Sequence, residues 1–329
     1  MPAEADLERL ECSSPAYAPD LLATVRGSGT RRLLLLGHLD TVVSHADHRP
    51  LERVEGRLVG SGTIDMKGGI VLALGVMRVL AAEPEAFAEL ALLAVTDEEW
   101  RTGELAHAAR FAGYDACLCF EGGELAASGE DAVVVRRKAA ATLSVHAHGV
   151  AAHSGVAPER GRSALLALAA VAQRVAEQAD PAGPERLTAV PTVIRSGEAF
   201  NVVPSAGELI CDLRAERLES FTPVLDAVPR EHEGATVEAE LVRRWPGMDT
   251  RERAAPPLAR ASELLGRPIV AGERGGASDA SHLAVHVPLT IDGLGPLGAG
   301  AHSPEEHVMR DSLRSRAEVA LALTAATLA

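Results

Sequence analysis

Histidine and carboxylate side chains follow short apolar runs, or lie in glycine-rich loops, at five places along the chain. They are His38 with Asp40, Asp65, the run Asp97-Glu98-Glu99, Glu121, and His302. Because an open α/β sheet binds ligands at the carboxyl ends of its strands, the placement of these groups matters as much as their types. Together they supply enough ligands for two metal ions. A mixed nitrogen and oxygen ligand set suits zinc, with cobalt or manganese as substitutes.

Each of these motifs, taken singly, also has a plainer interpretation. In an extended stretch, His38 and Asp40 point the same way, so the carboxylate can fix the tautomer of a metal-bound imidazole, but a surface pair has the same spacing. The glycines around Asp65 indicate tight turns. A phosphate-binding loop is excluded there, because Lys67 is followed by glycine and not by serine or threonine. The three consecutive acids are equally typical of a solvated loop.

The segments that position the first motifs alternate between buried strands and helices. Apolar runs predict strands of a parallel sheet at residues 32–37, 91–95 and 115–120, and helices at 70–80 and 104–111. The same pattern resumes near the end of the chain, with a helix at 257–265, a strand at 287–291 and a helix at 312–328. This alternation predicts an α/β domain with a mixed, mainly parallel sheet.

The middle of the chain has a different pattern, with strands that are polar on one side. It predicts strands at 139–147, 187–195, 207–214 and 235–242, and helices at 162–177 and 218–228. These elements are typical of a small α+β domain with an antiparallel sheet. We therefore predict a metal-binding domain made of residues 1–131 and 243–329, interrupted by an inserted domain at 132–242.

The composition excludes several classes of protein. The chain has 329 residues, 47% hydrophobic and only 3% aromatic, and its formal net charge is −14. That acidic balance disfavours nucleic acid and anionic lipid as partners. The longest weakly polar run, residues 319–329, is too short to span a bilayer. The four cysteines lack a disulfide-framework spacing, which predicts free thiols in a reducing, cytoplasmic compartment.

Eight segments of the sequence resemble the dinuclear zinc aminoacylase/carboxypeptidase family, which includes acetylornithine deacetylase, succinyl-diaminopimelate desuccinylase and bacterial glutamate carboxypeptidase. In order they read HLDTV, GSGTIDMKGG, TDEE, FEGG, HSGVAPERG, FNVVP, GGASDA and GAHSPEEHV, and they extend from about residue 33 to residue 310. The resemblance implies a zinc-binding α/β domain interrupted by a small domain that acts as a lid and forms a homodimer. Here His38 comes early, so the segment that usually precedes this motif and packs on the catalytic domain is short. We expect this to change substrate access or stability without removing a metal ligand.

The resemblance also implies roles for the residues that match its motifs. Asp65 is expected to bridge two zinc ions. His38 and Glu121 would hold one ion, and Glu99 and His302 the other. Asp40 would orient His38, and Glu98 would be the general base for the attacking water. Asn201 and Arg214 match positions of the family that often bind the carboxylate of the substrate. Gly276 and Ser278 match a loop of the family that contacts the substrate.

His153 lies in the predicted inserted domain. The resemblance implies that each subunit of the dimer donates this histidine to the zinc site of its partner, where its N–H would stabilise an oxyanion. A surface histidine before a helix is the alternative.

The sequence therefore predicts a zinc-dependent hydrolase that cleaves an amide bond next to a free carboxylate in a small-molecule substrate. HSGVAPERG and FNVVP favour the glutamate carboxypeptidase branch, acting on short peptides or N-acyl amino acids. A biosynthetic N-acyl-amino-acid deacylase is the alternative. An inactive, metal-containing peptide-binding module is a third hypothesis, against which the presence of Glu98 counts.

Overall fold

A computed structural model describes residues 1–2, 4–15 and 17–329. Its contacts divide the chain into two compact units. The first unit comprises Met1–Arg137, Met248–Arg274 and Ser278–Ala329, and the second comprises Lys138–Gly247 and Gly275–Ala277.

The described residues form strands and helices along the whole chain. The strands are β1 (Asp6–Leu10), β2 (Asp20–Arg26), β3 (Arg32–His38), β4 (Glu52–Val54), β5 (Arg57–Val59), β6 (Glu89–Val95), β7 (Ala116–Cys119), β8 (Glu124–Leu125), β9 (Asp131–Arg137), β10 (Ala139–His148), β11 (Thr188–Ser196), β12 (Ala206–Ala215), β13 (Glu231–His232), β14 (Ala235–Trp245), β15 (Met248–Asp249), β16 (Ile269–Arg274), β17 (Thr290–Ile291), β18 (Gly298–Ala299) and β19 (His307–Met309). The α-helices are α1 (Gly68–Leu80), α2 (Ala164–Ala176), α3 (Thr222–Asp226), α4 (Arg251–Leu265), α5 (Asp279–Ala284) and α6 (Ser312–Leu328).

The first unit is built on a six-stranded mixed sheet with the order β1-β2-β6-β3-β7-β17. The pairs β3–β6, β3–β7 and β7–β17 are parallel, while β1–β2 and β2–β6 are antiparallel. Strand β3 is buried on both faces, because Leu33 and Leu35 pack into one hydrophobic core and Leu34 and Leu36 into another. This confirms the predicted α/β fold with a mixed, mainly parallel sheet.

Two smaller sheets complete the first unit. Strand β9 pairs with β8, β15 and β16, and the other sheet has the order β18-β19-β5-β4. Because β9 forms its sheet with β16 of the first unit, that unit extends to Arg137, six residues beyond the boundary that the sequence predicts. The pairing of β9 with β15 places Met248 opposite Arg137, so the chain leaves the first unit and returns to it at adjacent positions.

The second unit is an antiparallel sheet with the order β11-β12-β10-β14-β13, and its helices cover one face. Alternation along β12 explains the arrangement: Leu209, Cys211 and Leu213 are buried, while the residues between them are partly exposed. Ser163 caps the N-terminus of helix α2, because its hydroxyl accepts a hydrogen bond from the backbone N–H of Leu166 at 3.3 Å. The predicted antiparallel α+β fold is confirmed.

Several predicted elements differ from the structure. The helix predicted at 104–111 is only a short 3₁₀ turn at Ala108–Phe111, because Leu105, Ala108 and Phe111 are buried at a spacing of three residues. The strand predicted at 287–291 is reduced to Thr290–Ile291. Helix α4 begins at Arg251 and not at residue 257, since it continues through Pro256 and Pro257. Strands β1 and β2 were not predicted.

None of the described helices is long and apolar enough to cross a membrane. The four cysteines, Cys12, Cys117, Cys119 and Cys211, are free. Cytoplasmic location stays a prediction that rests on these thiols.

Candidate active site

The register of the central sheet brings three of the sequence motifs to one edge. His38 at the end of β3 pairs with Val95 at the end of β6, and Leu36 pairs with Cys119 at the end of β7. The residues that follow β3, β6 and β7 therefore lie at the same edge of the sheet. Strand β3 lies between β6 and β7, so the next two strands of this sheet along the chain are added on opposite sides of β3. Such a change of side leaves a crevice at the carboxyl ends of the strands, where α/β sheets bind ligands.

His38, Asp65 and Glu121 form the first group of potential metal ligands, with ligand atoms all within 4.8 Å of one another. His38 Nε2 lies 3.0 Å from Asp65 Oδ1 and 3.7 Å from Glu121 Oε1. The imidazole is 1% exposed, so its orientation is fixed by packing at the end of the buried strand β3.

Asp65, Glu99 and His302 form the second group. His302 Nε2 lies 3.0 Å from Asp65 Oδ2 and 3.2 Å from Glu99 Oε1. The two oxygens of Asp65 thus face different histidines: Oδ1 faces His38 and Oδ2 faces His302. A carboxylate in this position can belong to both groups, which is the arrangement expected for a bridging ligand.

Asp40 connects the first group to the loop after β6. Its Oδ1 lies 3.3 Å from His38 Nδ1, and its backbone oxygen lies 3.2 Å from the same nitrogen. The Asp40 carboxylate also accepts hydrogen bonds from the backbone N–H groups of Glu98, at 3.2 Å, and Glu99, at 2.9 Å. One side chain therefore orients the histidine and fixes the backbone that carries two of the acids.

The site concentrates negative charge in a buried place. Burial raises the pKa of Glu98 well above its usual value, and the nearby carboxylates of Asp279, Glu121 and Glu99 raise it further against the opposing effect of His38. Burial likewise raises the pKa of Glu121 to about 8. Such crowding is costly unless cations are present, and a bound metal ion reverses this electrostatic effect.

The residues fit a pair of zinc-type ions. Each group supplies one imidazole and two carboxylates, counting Asp65 in both, which is a donor set typical of zinc. Among the described residues, no donor is aligned for a hydrogen bond with the buried Oε1 of Glu99, although His302 Nε2 is close. A buried carboxylate oxygen without a hydrogen-bond donor, beside an imidazole nitrogen, is suited to a metal ion.

Glu306 positions the loop that carries Asp65. This role was not predicted, although Glu306 lies within the segment GAHSPEEHV. It is 3% exposed, and its carboxylate accepts three backbone N–H groups from the loop that carries Asp65: Gly62 at 2.7 Å, Ile64 at 3.0 Å and Asp65 at 3.1 Å. A carboxylate that ties down a glycine-rich loop in this way fixes where Asp65 sits.

Glu306→Gln is expected to weaken metal binding by about 10–100-fold, as is usual for changes to groups that orient metal ligands. The amide nitrogen replaces one acceptor oxygen, so at least one of the three loop N–H groups loses its partner. Competition with a coloured chelator measures the affinity. Glu305→Gln is the matched control, because Glu305 is exposed. Equal affinities for the two variants would contradict the positioning role.

Two further buried networks support the site and were not predicted. Arg101 Nη1 donates to Asp97 Oδ1 at 2.8 Å, and its Nη2 contacts Asp279. Ser278 is 1% exposed, and its hydroxyl donates to Asp292 Oδ2 at 2.6 Å. The Ser278 hydroxyl thus has a fixed partner inside the first unit, and its predicted contact with substrate stays a prediction.

The remaining predicted residues lie in the second unit. His153 is exposed, and its Nδ1 accepts a hydrogen bond from the backbone N–H of Gly155 at 3.2 Å, which leaves the proton on Nε2 when the ring is neutral. The backbone oxygen of Asn201 accepts the N–H of Ser154 at 3.0 Å, so Asn201 is held beside the His153 segment. Gly276 lies in Gly275–Ala277, which groups with this unit.

Arg214 lies on β12 and pairs with Asp212 on the same face of that strand. Its Nη2 lies 3.0 Å from Asp212 Oδ1, and its Nε lies 3.0 Å from Oδ2. The arginine side chain is 32% exposed, so its guanidinium is accessible on the face of the sheet away from the helices.

The mixed α/β unit, with two carboxylate–histidine groups that share one aspartate, has the ligand types of a metal-dependent hydrolase. The sequence profile described as Peptidase family M20/M25/M40 matches residues 34–326. The chain therefore belongs to this family and is a metal-dependent hydrolase that acts on small-molecule substrates, as the resemblance predicts.

Similar proteins include enzymes with different named activities. The chain is 27% identical over 300 residues to carboxypeptidase G2 of Pseudomonas sp. (strain RS-16), a match that covers 86% of this chain and 71% of that protein. It is 30% identical over 312 residues to the succinyl-diaminopimelate desuccinylase of Xylella fastidiosa (strain M12), covering 87% of this chain and 81% of that protein.

Solved structures share the fold at low sequence identity. The aminopeptidase PepT of Bacillus cereus matches with a TM-score of 0.78 at 20% identity, covering 98% of this chain and 89% of that one. The M20 family metallo-carboxypeptidase Sso-CP2 of Sulfolobus solfataricus matches with a TM-score of 0.73 at 13% identity, covering 98% and 90%.

Proposed function

We propose that the chain is a dinuclear zinc carboxypeptidase that cleaves the amide bond next to a free carboxylate in short peptides or N-acyl amino acids. The observation that carries this proposal is the position of Asp65, whose two oxygens face His38 and His302 in two ligand groups. The likeness to carboxypeptidase G2 supports the carboxypeptidase branch.

The proposed ions are held by His38, Asp65 and Glu121 on one side and by Asp65, Glu99 and His302 on the other. Ions held there supply Lewis acidity, which lowers the pKa of water and polarises a carbonyl group. Zinc is the proposed metal, and cobalt or manganese the proposed substitutes.

Glu98 is the proposed general base. It belongs to neither ligand group, it is 8% exposed, and Asp40 fixes its backbone at the end of β6. Its carboxylate takes a proton from the attacking water and gives that proton to the leaving amine.

Arg214 and Asn201 are proposed to bind the free carboxylate of the substrate, with Gly276 and Ser278 in a loop that contacts it. An arginine guanidinium binds a carboxylate through two parallel hydrogen bonds. The partial exposure of Arg214 leaves room for that contact.

Arg214→Lys is expected to raise KM by roughly 10–100-fold for substrates with a free carboxylate, because lysine cannot reproduce the paired geometry. Zinc content is expected to stay the same. Arg195→Lys is a suitable control, since Arg195 also pairs with a carboxylate on this sheet, that of Glu208, and is 70% exposed. An unchanged KM in steady-state kinetics would restrict Arg214 to a structural pair with Asp212.

We propose that the second unit forms a homodimer and acts as the lid. Strand β11 is an edge strand and exposes Val190 and Ile194, at 50% and 47%. Helix α2 exposes Leu165 and Leu166, at 41% and 54%. An edge strand and a helix with exposed aliphatic side chains are suited to a second copy of the same surface. In such a dimer, His153 is proposed to act in the partner's site.

A biosynthetic deacylase is the second candidate, which the identity of 30% to a succinyl-diaminopimelate desuccinylase favours. An inactive peptide-binding module is disfavoured, because a binding protein has no need of the buried Glu98.

A hydrolysis screen after zinc or cobalt loading separates these candidates. Dipeptides with a free C-terminal carboxylate, N-acetyl amino acids and N-succinyl-diaminopimelate are offered in parallel, and amine release is measured with and without chelator. Preferred cleavage of dipeptides supports the carboxypeptidase, and preferred cleavage of the succinyl compound supports the deacylase. Binding without turnover of any of them would overturn both.

A further inference from the structure

A third cluster of potential metal ligands lies next to the loop that carries Glu98 and Glu99. Cys12, Asp20 and Asp97 offer ligand atoms that all lie within 4.8 Å of one another. Asp20 and Asp97 are both 0% exposed, whereas Cys12 is partly exposed. Neither the proposed hydrolase chemistry nor the two ligand groups around Asp65 use this cluster.

Asp20 has a buried oxygen that lacks a hydrogen-bond donor. Its Oδ1 accepts the backbone N–H of Thr96 at 2.9 Å, but no described residue donates to Oδ2. The Thr96 hydroxyl carries one proton, and the acceptors around it include the carbonyl of Ala18, Asp20 Oδ1 and Cys12 Sγ. That single proton cannot serve all three acceptors, and none of these contacts reaches Asp20 Oδ2. A buried carboxylate oxygen without a partner is costly.

The two buried carboxylates of the cluster differ in their partners. Asp20, Asp97 and Asp279 are all buried, and Arg101, which contacts the last two, is the buried base among them. Asp97 is paired, since its Oδ1 contacts Arg101 and its Oδ2 accepts the backbone N–H of Ser14 at 2.8 Å. Asp20, by contrast, has no ion pair with any of the described residues, so its buried carboxylate lacks a cation. Buried charges require pairing or a bound cation.

We propose that Cys12, Asp20 and Asp97 bind a divalent zinc-type ion that has a structural role. A thiolate together with two carboxylates favours zinc over magnesium or calcium, which take oxygen ligands alone. Ligand atoms around a tetrahedral zinc ion lie about 3.5 Å apart, and those of this cluster all lie within 4.8 Å of one another. The partly exposed edge at Cys12 admits the ion and leaves a position for water as the fourth ligand.

The ion would join two parts of the first unit. Cys12 and Asp20 flank the segment that leads into β2, and Asp97 directly precedes Glu98 in the loop after β6. An ion bound there fixes the loop that holds the proposed base to the segment before β2. This inference stands without the proposed hydrolase, because it depends on a different set of ligands.

Cobalt spectroscopy tests the site directly. The chain of residues 1–329 is stripped of metal by a chelator and titrated with Co²⁺, and thiolate-to-cobalt charge transfer is followed in the near ultraviolet. The groups around Asp65 contain no sulfur ligand, so such a band reports a cysteine. We expect the band in the wild type and in Cys211→Ser. We expect Cys12→Ser to lose the band and to bind one cobalt ion fewer per chain than the wild type. Cys211 is the matched control, since its thiol is buried in the core of the second unit.

Two outcomes overturn the proposal. One is the absence of the band in wild-type protein that shows cobalt bound elsewhere, which would mean that a protonated Asp20 accounts for the cluster. The other is a band that persists in Cys12→Ser.

A measurement on the wild type keeps the test valid if Cys12→Ser fails to fold. Alkylation of Cys12 is followed by peptide mass spectrometry, with and without Zn²⁺. We expect zinc to slow the alkylation at least tenfold, and equal rates would also overturn the proposal.

Discussion

Glu98→Gln is expected to lower kcat by about 10²–10⁴-fold while leaving the bound metal in place. The amide keeps the size of the carboxylate but cannot take a proton from water. The metal stays because Glu98 belongs to neither ligand group, and its backbone N–H still donates to Asp40. Metal content by atomic emission and kcat by amine release are measured on the same preparation.

Glu99→Gln is the matched comparison, because the neighbouring residue has the same type and lies in the second ligand group. It is expected to lose metal as well as activity. If Glu98→Gln retained activity within a few-fold of the wild type, Glu98 would not be the base. If it lost metal to the same extent as Glu99→Gln, it would instead be a ligand.

A mixed dimer of His153→Ala and Glu98→Gln subunits is expected to recover about half of the wild-type activity, although each variant alone is nearly inactive. If each lid donates His153 to its partner, one of the two sites in the mixed dimer combines an intact Glu98 with an intact His153. The neutral His153 ring carries its proton on Nε2, since Gly155 donates to Nδ1, so it can donate a hydrogen bond to an oxyanion.

Co-expression with two different tags isolates the mixed dimer for the assay. If His153 served its own subunit, every site would lack one essential group and the mixed dimer would remain inactive. That result in a confirmed heterodimer would reject the shared site. A protein that is monomeric in solution would reject it too.

The sequence predicted the central sheet well because its strands are buried on both faces. The runs that became β3, β6 and β7 are almost wholly apolar, a pattern typical of short strands in a parallel sheet that is covered on both faces. Strand β1 was missed because four of its five residues are exposed, so its sequence DLERL carries little hydrophobic signal. Its position in the sheet depends on pairing with β2, and the local sequence pattern of β1 does not show that partner.

The groups around Asp65 contain the residues to which the sequence assigned metal binding, and their roles stay proposals. Each of these residues has a side chain whose type indicates its chemistry. Glu306 and Arg101 escaped prediction for the opposite reason. Glu306 binds backbone N–H groups, which any sequence provides, and Arg101 contacts Asp279, 178 positions away along the chain. Neither contact leaves a pattern that spacing can detect.

The pairing of Arg137 with Met248 also bears on how such a two-unit protein arises and how it can be reshaped. Directly opposed residues in an antiparallel pair are about 5 Å apart, so a short turn can join the two strands without the intervening residues. The second unit therefore occupies the place of a hairpin loop. Gaining or losing it in a single genetic event requires no rearrangement of β9 or β15, and the same junction offers protein engineers a place to exchange one inserted module for another.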